Sequence, residues 1–186
     1  ASDGFNGGPG DDRLTGGFGD DVLLGGAGDD RLFGEEGDDW LDTNVAAVAP
    51  SEASDGNDSI DGGPGVDNVG YAFSRVLATI SLSGTGSGNG SANGDDSWTS
   101  AERTWGSSLG DTIRGSQGED WISGGGGGDL IEVQGDPRPA SPDTVDCGEG
   151  DDFVTFDRSR STPSPVVGDG LLGCEVETPD PPDDVV

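Results

Sequence analysis

A nine-residue period governs this chain. Residues 7–15 read GGPGDDRLT, 16–24 GGFGDDVLL, 25–33 GGAGDDRLF and 34–42 GEEGDDWLD. Each unit has glycine first and fourth, aspartate sixth and a large apolar residue eighth. The aspartate and its apolar companion return at Asp58 and Ile60, Asp67 and Val69, Asp111 and Ile113, Asp120 and Ile122, Asp129 and Ile131, Asp143 and Val145, and Asp152 and Val154. Asp3 and Phe5 end a unit that precedes the first complete one. A spacing locked this often is the mark of a solenoid, in which each repeat stacks on its neighbours and buries its apolar face only by doing so.

What each position can do fixes the geometry. Glycine permits positive φ, so the first six residues of a unit suit a tight turn, and the last three suit a short strand with one side chain inward. One unit is then half a coil, and two units bring the chain back one strand spacing further on, about 4.8 Å. The predicted fold class is all-β. Phe5, Leu23 and Leu41 should stack in one sheet, with Leu14 and Leu32 in the facing one. Asp3, Asp21 and Asp39 should line one edge, with Asp12 and Asp30 on the other.

Composition says what such edges need. Acidic residues number 38 against 8 basic ones, all arginine, for a formal charge of -30 with no histidine, and only 29% of the residues are hydrophobic. That balance alone predicts disorder, because little apolar surface offsets chain entropy and self-repulsion. Of the acids, 29 are aspartate, a short carboxylate suited to turns and to hard cations such as calcium. Carboxylates buried in a ladder without a counter-charge cost several kcal/mol each. Calcium between consecutive turns, taking an aspartate from each and backbone carbonyls besides, would remove that cost. The candidate metal ligands are therefore Asp3, Asp12, Asp21, Asp30, Asp39, Asp58, Asp67, Asp111, Asp120, Asp129, Asp143 and Asp152, with carbonyls such as those of Gly8, Gly10, Gly17, Gly19, Gly26 and Gly28.

Several function classes recede. Strong acidity disfavours nucleic acid and anionic membranes as partners. No stretch approaches the roughly 20 apolar residues of a membrane span, and the opening Ala-Ser-Asp-Gly-Phe does not read as a signal peptide, so a mature product or a fragment is expected. Without histidine there is no Ser-His-Asp triad and no imidazole base, and no phosphate loop ending in Gly-Lys occurs. Carboxylate pairs are too abundant here to single one out for glycosidase chemistry. The expectation is a protein that is not an enzyme. Cys147 and Cys174 are expected to form a disulfide, since no histidine or further thiol exists to complete a metal site, and this points to an oxidising, extracellular setting.

The nonapeptides resemble the RTX, or haemolysin-type, calcium-binding repeat, GGxGxDxUx with U a large apolar residue. The match is specific across residues 7–42 and good across 106–132. The resemblance implies a right-handed parallel β-roll with calcium between turns, ligated by the sixth-position aspartates and disordered until it meets extracellular calcium. Two units depart from the pattern. Residues 106–114, GSSLGDTIR, lack the second and fourth glycines, and Glu35 replaces the second glycine of its unit, so these turns are expected to bind weakly or to be distorted. The segments DTVDCGEGDDFVTFD and LLGCEVE look like the C-terminal cap of secreted RTX-like proteins from high-GC bacteria, which implies a bridge between Cys147 and Cys174.

The organisation expected is a β-roll over 1–157 with insertions at 43–54, 70–105 and 133–142, a disulfide-linked cap over 158–177 and a mobile tail over 178–186. The insertion at 70–105 reads as an enlarged coil: YAFSRVLATISLSG as a longer strand, GTGSGNGSANGDDS as a flexible loop, Ile80 and Leu82 inward, and Trp105 plugging the core. Asp95 and Asp96 read as solvated loop acids in preference to an extra ion site. Trp40 and Trp121, at the seventh position, should face outward, as aromatic cover for a thin sheet in preference to a sugar-stacking platform. The function expected is a secreted or cell-surface calcium-binding module whose folding is driven by calcium. An adhesion or polysaccharide-binding accessory module is the second reading, and a fragment of a secreted enzyme the third.

Overall fold

Strands begin where the sixth-position aspartate closes each turn. Arg13–Phe18, Val22–Ala27, Arg31–Glu36 and Trp40–Asp42 all start at the seventh position of their units. The computed structural model describes residues 1–43, 56–74, 77–82, 87–91, 96–116, 120–133, 143–156, 170–172 and 174–176, and among these there are strands and no helix. Apart from Thr79–Leu82, Ser87–Ser91 and Asp96–Thr99, which follow one another in the larger sheet, successive strands alternate between two sheets of 8 and 10 strands among the described residues, so the chain winds as a parallel β-roll.

The register is the predicted one. Phe5 pairs with Leu23 and Leu23 with Leu41 in the first sheet, while Leu14 pairs with Leu32 in the second. The same inward row continues through Val69, Thr104, Ile122 and Val145 on one side and through Ile60 and Trp98 on the other. Beyond the antiparallel insert, the second sheet resumes with Ile80, Ile113, Ile131 and Val154. Residues paired across one coil lie 18 apart in the regular repeats but 28, 38, 35, 33 or 23 apart elsewhere. Insertions are thus absorbed outside the strands, and the inward side chains stay inward because a slip of one residue would expose the whole row.

The enlarged coil departs from the sequence reading. Ser87–Ser91 lies within the stretch expected to be a loop, yet it is a strand, antiparallel to both Thr79–Leu82 and Asp96–Thr99. This antiparallel insert keeps the second sheet continuous where the repeat is lost. Ile80 is buried and Leu82 packs against the core, as expected. Trp98, not Trp105, fills the interior: Trp98 is buried and pairs with Ile60, whereas Trp105 is half-buried. The spacing explains the error, since Asp96 and Trp98 preserve the two-residue offset of the repeat with Gly94 at the fourth position but without the first two glycines.

The core is one file of side chains from each sheet, among them Leu23, Leu32, Leu41, Ile113, Ile122, Ile131, Val145 and Val154, all fully buried. Each such side chain contributes about 1.5–3 kcal/mol. Gly170–Leu172 and Glu175–Val176 extend the two sheets by one strand each, and Cys147 and Cys174 are joined by a disulfide with a Cα–Cα distance of 5.3 Å. A bridge over a sequence separation of 27 limits the unfolded chain by about 3–4 kcal/mol in the loop-entropy estimate. The insertion expected at 43–54 lies, save for Thr43, outside the described residues. So do 134–142 and the tail at 178–186.

Candidate metal centre

The sixth-position carboxylates form two ladders, one on each edge of the roll. On the first edge the amide of Asp3 donates to Oδ1 of Asp21 (2.7 Å), that of Asp21 to Asp39 (2.8 Å), and that of Asp39 to Asp67 (2.8 Å). On the second, Asp12 donates to Asp30 (2.8 Å), Asp30 to Asp58 (2.7 Å) and Asp58 to Asp96 (2.8 Å). Further along, Asp111 donates to Asp129 (2.7 Å), Asp129 to Asp152 (2.9 Å) and Asp120 to Asp143 (2.9 Å). Every aspartate that sequence reasoning placed in the site stands in one of these rows.

Each carboxylate has two oxygens, and in the glycine-rich turns only one is used. Oδ2 of Asp12, Asp21, Asp30, Asp39, Asp67, Asp129 and Asp152 is buried and faces no hydrogen-bond donor. In all but Asp152, whose unit opens with Cys147, it packs against the first glycine of its own unit. A Cβ on Gly16 would lie 2.5 Å from Oδ2 of Asp21 and 2.8 Å from the carbonyl oxygen of Gly34 one coil on. The glycines at positions two and four take positive φ, for example 91° at Gly8, 119° at Gly10, 105° at Gly17, 111° at Gly19 and 121° at Gly26 and Gly28. A Cβ on Gly28 would meet the carbonyl oxygen of Gly10 at 2.7 Å, so at the fourth position glycine is what lets these turns stack.

This donor set fits a hard, oxygen-seeking cation. Bare carboxylate oxygens and closely stacked backbone carbonyls are the ligands calcium takes, and a buried anion without a donor is otherwise costly. No group of three carboxylates converges among the described residues. A cation here would draw on the aspartates of its turns together with glycine carbonyls.

Electrostatics point the same way. Burial pushes the carboxyl of Asp67 up to about 7, and the charges of Asp39, Glu102 and Asp38 add to the rise, although the Asp39 amide opposes it. Asp129 is likewise pushed up to about 7 by burial, with Asp111 and Asp152 adding to it. Asp30 and Asp39 are raised too, chiefly by burial. A nearby positive charge would reverse all of these shifts.

A second, exposed ladder escaped the sequence reading. At the fifth position the amide of Asp29 donates to Asp11 (3.1 Å) and that of Asn57 to Asp29 (2.9 Å). On the other edge Asp38 donates to Asp20 (3.1 Å) and Val66 to Asp38 (2.9 Å). These carboxylates bond the following coil, whereas sixth-position ones bond the preceding coil. The Asp-Asp pair therefore stitches each turn in both directions.

The middle of the roll satisfies its carboxylates differently. Asp96, expected in a solvated loop, is buried in the second-edge ladder, and the Tyr71 hydroxyl donates to its Oδ2 at 2.8 Å. Its partner Asp95 lies outside the described residues. Glu102 takes the aspartate's place on the first edge, accepting from Asp67 at 3.0 Å, and Ala78 stands where an aspartate would on the second, donating to Asp111 at 2.6 Å. In the 106–114 turn, Ser107 gives its amide to Oδ2 of Asp111 (2.5 Å) and its hydroxyl to Oδ1 (3.0 Å). Ser116 does the same for Asp120, at 2.6 and 2.8 Å. The lost glycine is replaced by a donor. By contrast Glu35 keeps the left-handed turn, with φ 71°, and the Oδ2 of Asp39 stays bare.

Outside the first sheet, Trp105 lies between Trp40 and Trp121 with ring centroids 5.0 and 4.6 Å apart and tilts of 43° and 50°. All three are half-buried, and Arg103 stands 5.4 Å from the Trp121 ring. Their faces cover one another and the sheet beneath. Among curated proteins nothing matches the chain. The family described as the RTX calcium-binding nonapeptide repeat (4 copies) matches residues 6–41, 52–70 and 105–135.

Proposed function

Because the chain is an RTX-type calcium-binding repeat protein, we propose that it is an extracellular, non-catalytic module whose folding is coupled to calcium binding at its turns. The observation that supports this reading is the row of buried Oδ2 atoms that face no donor in the glycine-rich turns. Calcium, when bound, supplies the positive charge these oxygens lack. The chain supplies the rest: Oδ1 fixes each coil to the last, glycine opens the turn, and the inward apolar file closes over the result. At low calcium the carboxylates repel and the roll is unfavourable, whereas sites typical of extracellular modules, with dissociation constants of about 10⁻⁴ to 10⁻³ M, fill outside the cell. Far-UV circular dichroism tests this. A coil-like spectrum in chelator and a cooperative gain of β signal on adding calcium are expected, with magnesium a poor substitute because it demands near-ideal octahedral geometry. A β-rich spectrum indifferent to calcium would defeat the reading.

The half-buried cluster of Trp40, Trp105 and Trp121 on the outside of the first sheet favours a second reading, a polysaccharide-binding accessory module. Binding of a neutral glycan that is lost in Trp40→Ala or Trp121→Ala would support it, and unchanged binding would remove it.

A further inference from the structure

We propose that Ser107 and Ser116 close their turns to cations, so that calcium binds in two separate arrays, one on the turns up to Asp67 and one on those ending at Asp129 and Asp152. The inference deepens the calcium reading and rests on it.

It stands on a contrast within one fold. In turns with glycine second, that glycine has positive φ, as at Gly17, Gly26, Gly63, Gly125 and Gly148, and Oδ2 of Asp21, Asp30, Asp67, Asp129 and Asp152 has no donor. Ser107 and Ser116 are not among the positive-φ residues. With the ordinary φ their amides turn onto Oδ2, and each hydroxyl covers Oδ1 of the same carboxylate. Asp111 also accepts from Ala78, so three donors meet one carboxylate whose lone pairs number about four. The donated protons point at these oxygens and occupy the lone pairs that a cation would have to use. A cation there would have to break charge-assisted hydrogen bonds and face the positive ends of the same donors.

The neighbouring coils agree. Tyr71 holds Oδ2 of Asp96, and Ala78 brings no carboxylate at all. The whole stretch between the two glycine-rich regions therefore meets the need for positive charge with its own donors.

Equilibrium dialysis against calcium at saturating concentration tests this with Ser107→Gly/Ser116→Gly and Ser107→Ala/Ser116→Ala. The glycine variant restores the left-handed turn and should bind about two more ions per chain than the unaltered protein. The alanine variant keeps the ordinary backbone and removes only the hydroxyl. Its ion count should not change, while its carboxylates lose one donor each. Equal counts in the glycine variant and the unaltered protein would overturn the proposal. Absence of bound calcium in the unaltered protein would overturn the calcium reading and this proposal together, and so is distinguishable from equal counts. Should the glycine variant fail to fold, carboxyl carbon NMR shifts of the unaltered protein decide. Asp21, Asp39 and Asp129 should move with calcium and Asp111 and Asp120 should not. Equal movement of all five would overturn the proposal.

Discussion

In the turns between Gly7 and Asp42, the second residue sits in the left-handed region and one oxygen of each sixth-position carboxylate is left bare. Between Tyr71 and Ser123 the same strands, register and inward file are built, but a tyrosine hydroxyl and two serines donate to the equivalent carboxylates. The two regions share the strand ladder and differ in how their carboxylates are met. An amide of the preceding coil donates to Oδ1 in both, as at Asp21, Asp30 and Asp39 in the first region and at Asp96 and Asp111 in the second. The difference lies in the second oxygen: the amide of the position-two serine meets it at Asp111 and Asp120 and the Tyr71 hydroxyl meets it at Asp96, whereas in the glycine-rich turns it faces no donor.

Protonation should break the contrast most severely. In the metal-free chain, burial raises Asp67 and Asp129 to about 7 from an ordinary value of 3.8. A carboxyl raised on folding favours the folded state below its unfolded value, and that contribution is lost as pH rises through the folded one. Without calcium the glycine-rich turns should therefore gain order as pH falls from about 7 towards 4. Circular dichroism across that range in chelator should show β signal rising on acidification, and a signal that falls would contradict the account.

Next in size is the first-position glycine. Gly16→Ala drives a Cβ into Oδ2 of Asp21 and the Gly34 carbonyl. A loss of about 2–3 kcal/mol in calcium is expected by denaturant unfolding.

Asparagine substitutions sharpen the comparison further. Asp39→Asn keeps an acceptor for the Asp21 amide but removes a buried charge, so it should weaken calcium binding by about tenfold or more while stabilising the metal-free chain. Asp111→Asn leaves an amide among three donors and should cost about 2 kcal/mol with or without calcium, leaving calcium affinity alone. Parallel melts of both variants in calcium and in chelator check the signs.

Much of this was legible in the sequence. The nonapeptide phase placed Leu23, Leu32 and Leu41 inward and Asp21, Asp30 and Asp39 on the edges, because glycine and the two-residue offset leave few alternatives. The centre was harder to read. Asp96 with Trp98 and Glu102 with Thr104 keep the offset, yet both lack the glycine pair that opens a unit and follow an insertion that hides the phase. Ser107 registered only as a missing glycine and Ser116 not at all, since what they donate to lies four residues on and becomes visible only when the turn is closed. The fifth-position ladder was equally hidden, because amides from the next coil hold it.

Thr104 gives the smallest effect. Its hydroxyl is buried in the apolar file without a hydrogen-bond partner. Thr104→Val should raise stability by about 1 kcal/mol, equally in calcium and in chelator.

Residue-resolved amide exchange with and without calcium addresses the central claim most directly. The amides of Asp3, Asp12, Asp21 and Asp30, which donate up the ladders, should be strongly protected in calcium and exchange freely once it is chelated. Protection of those four amides that persists undiminished in chelator would contradict the account.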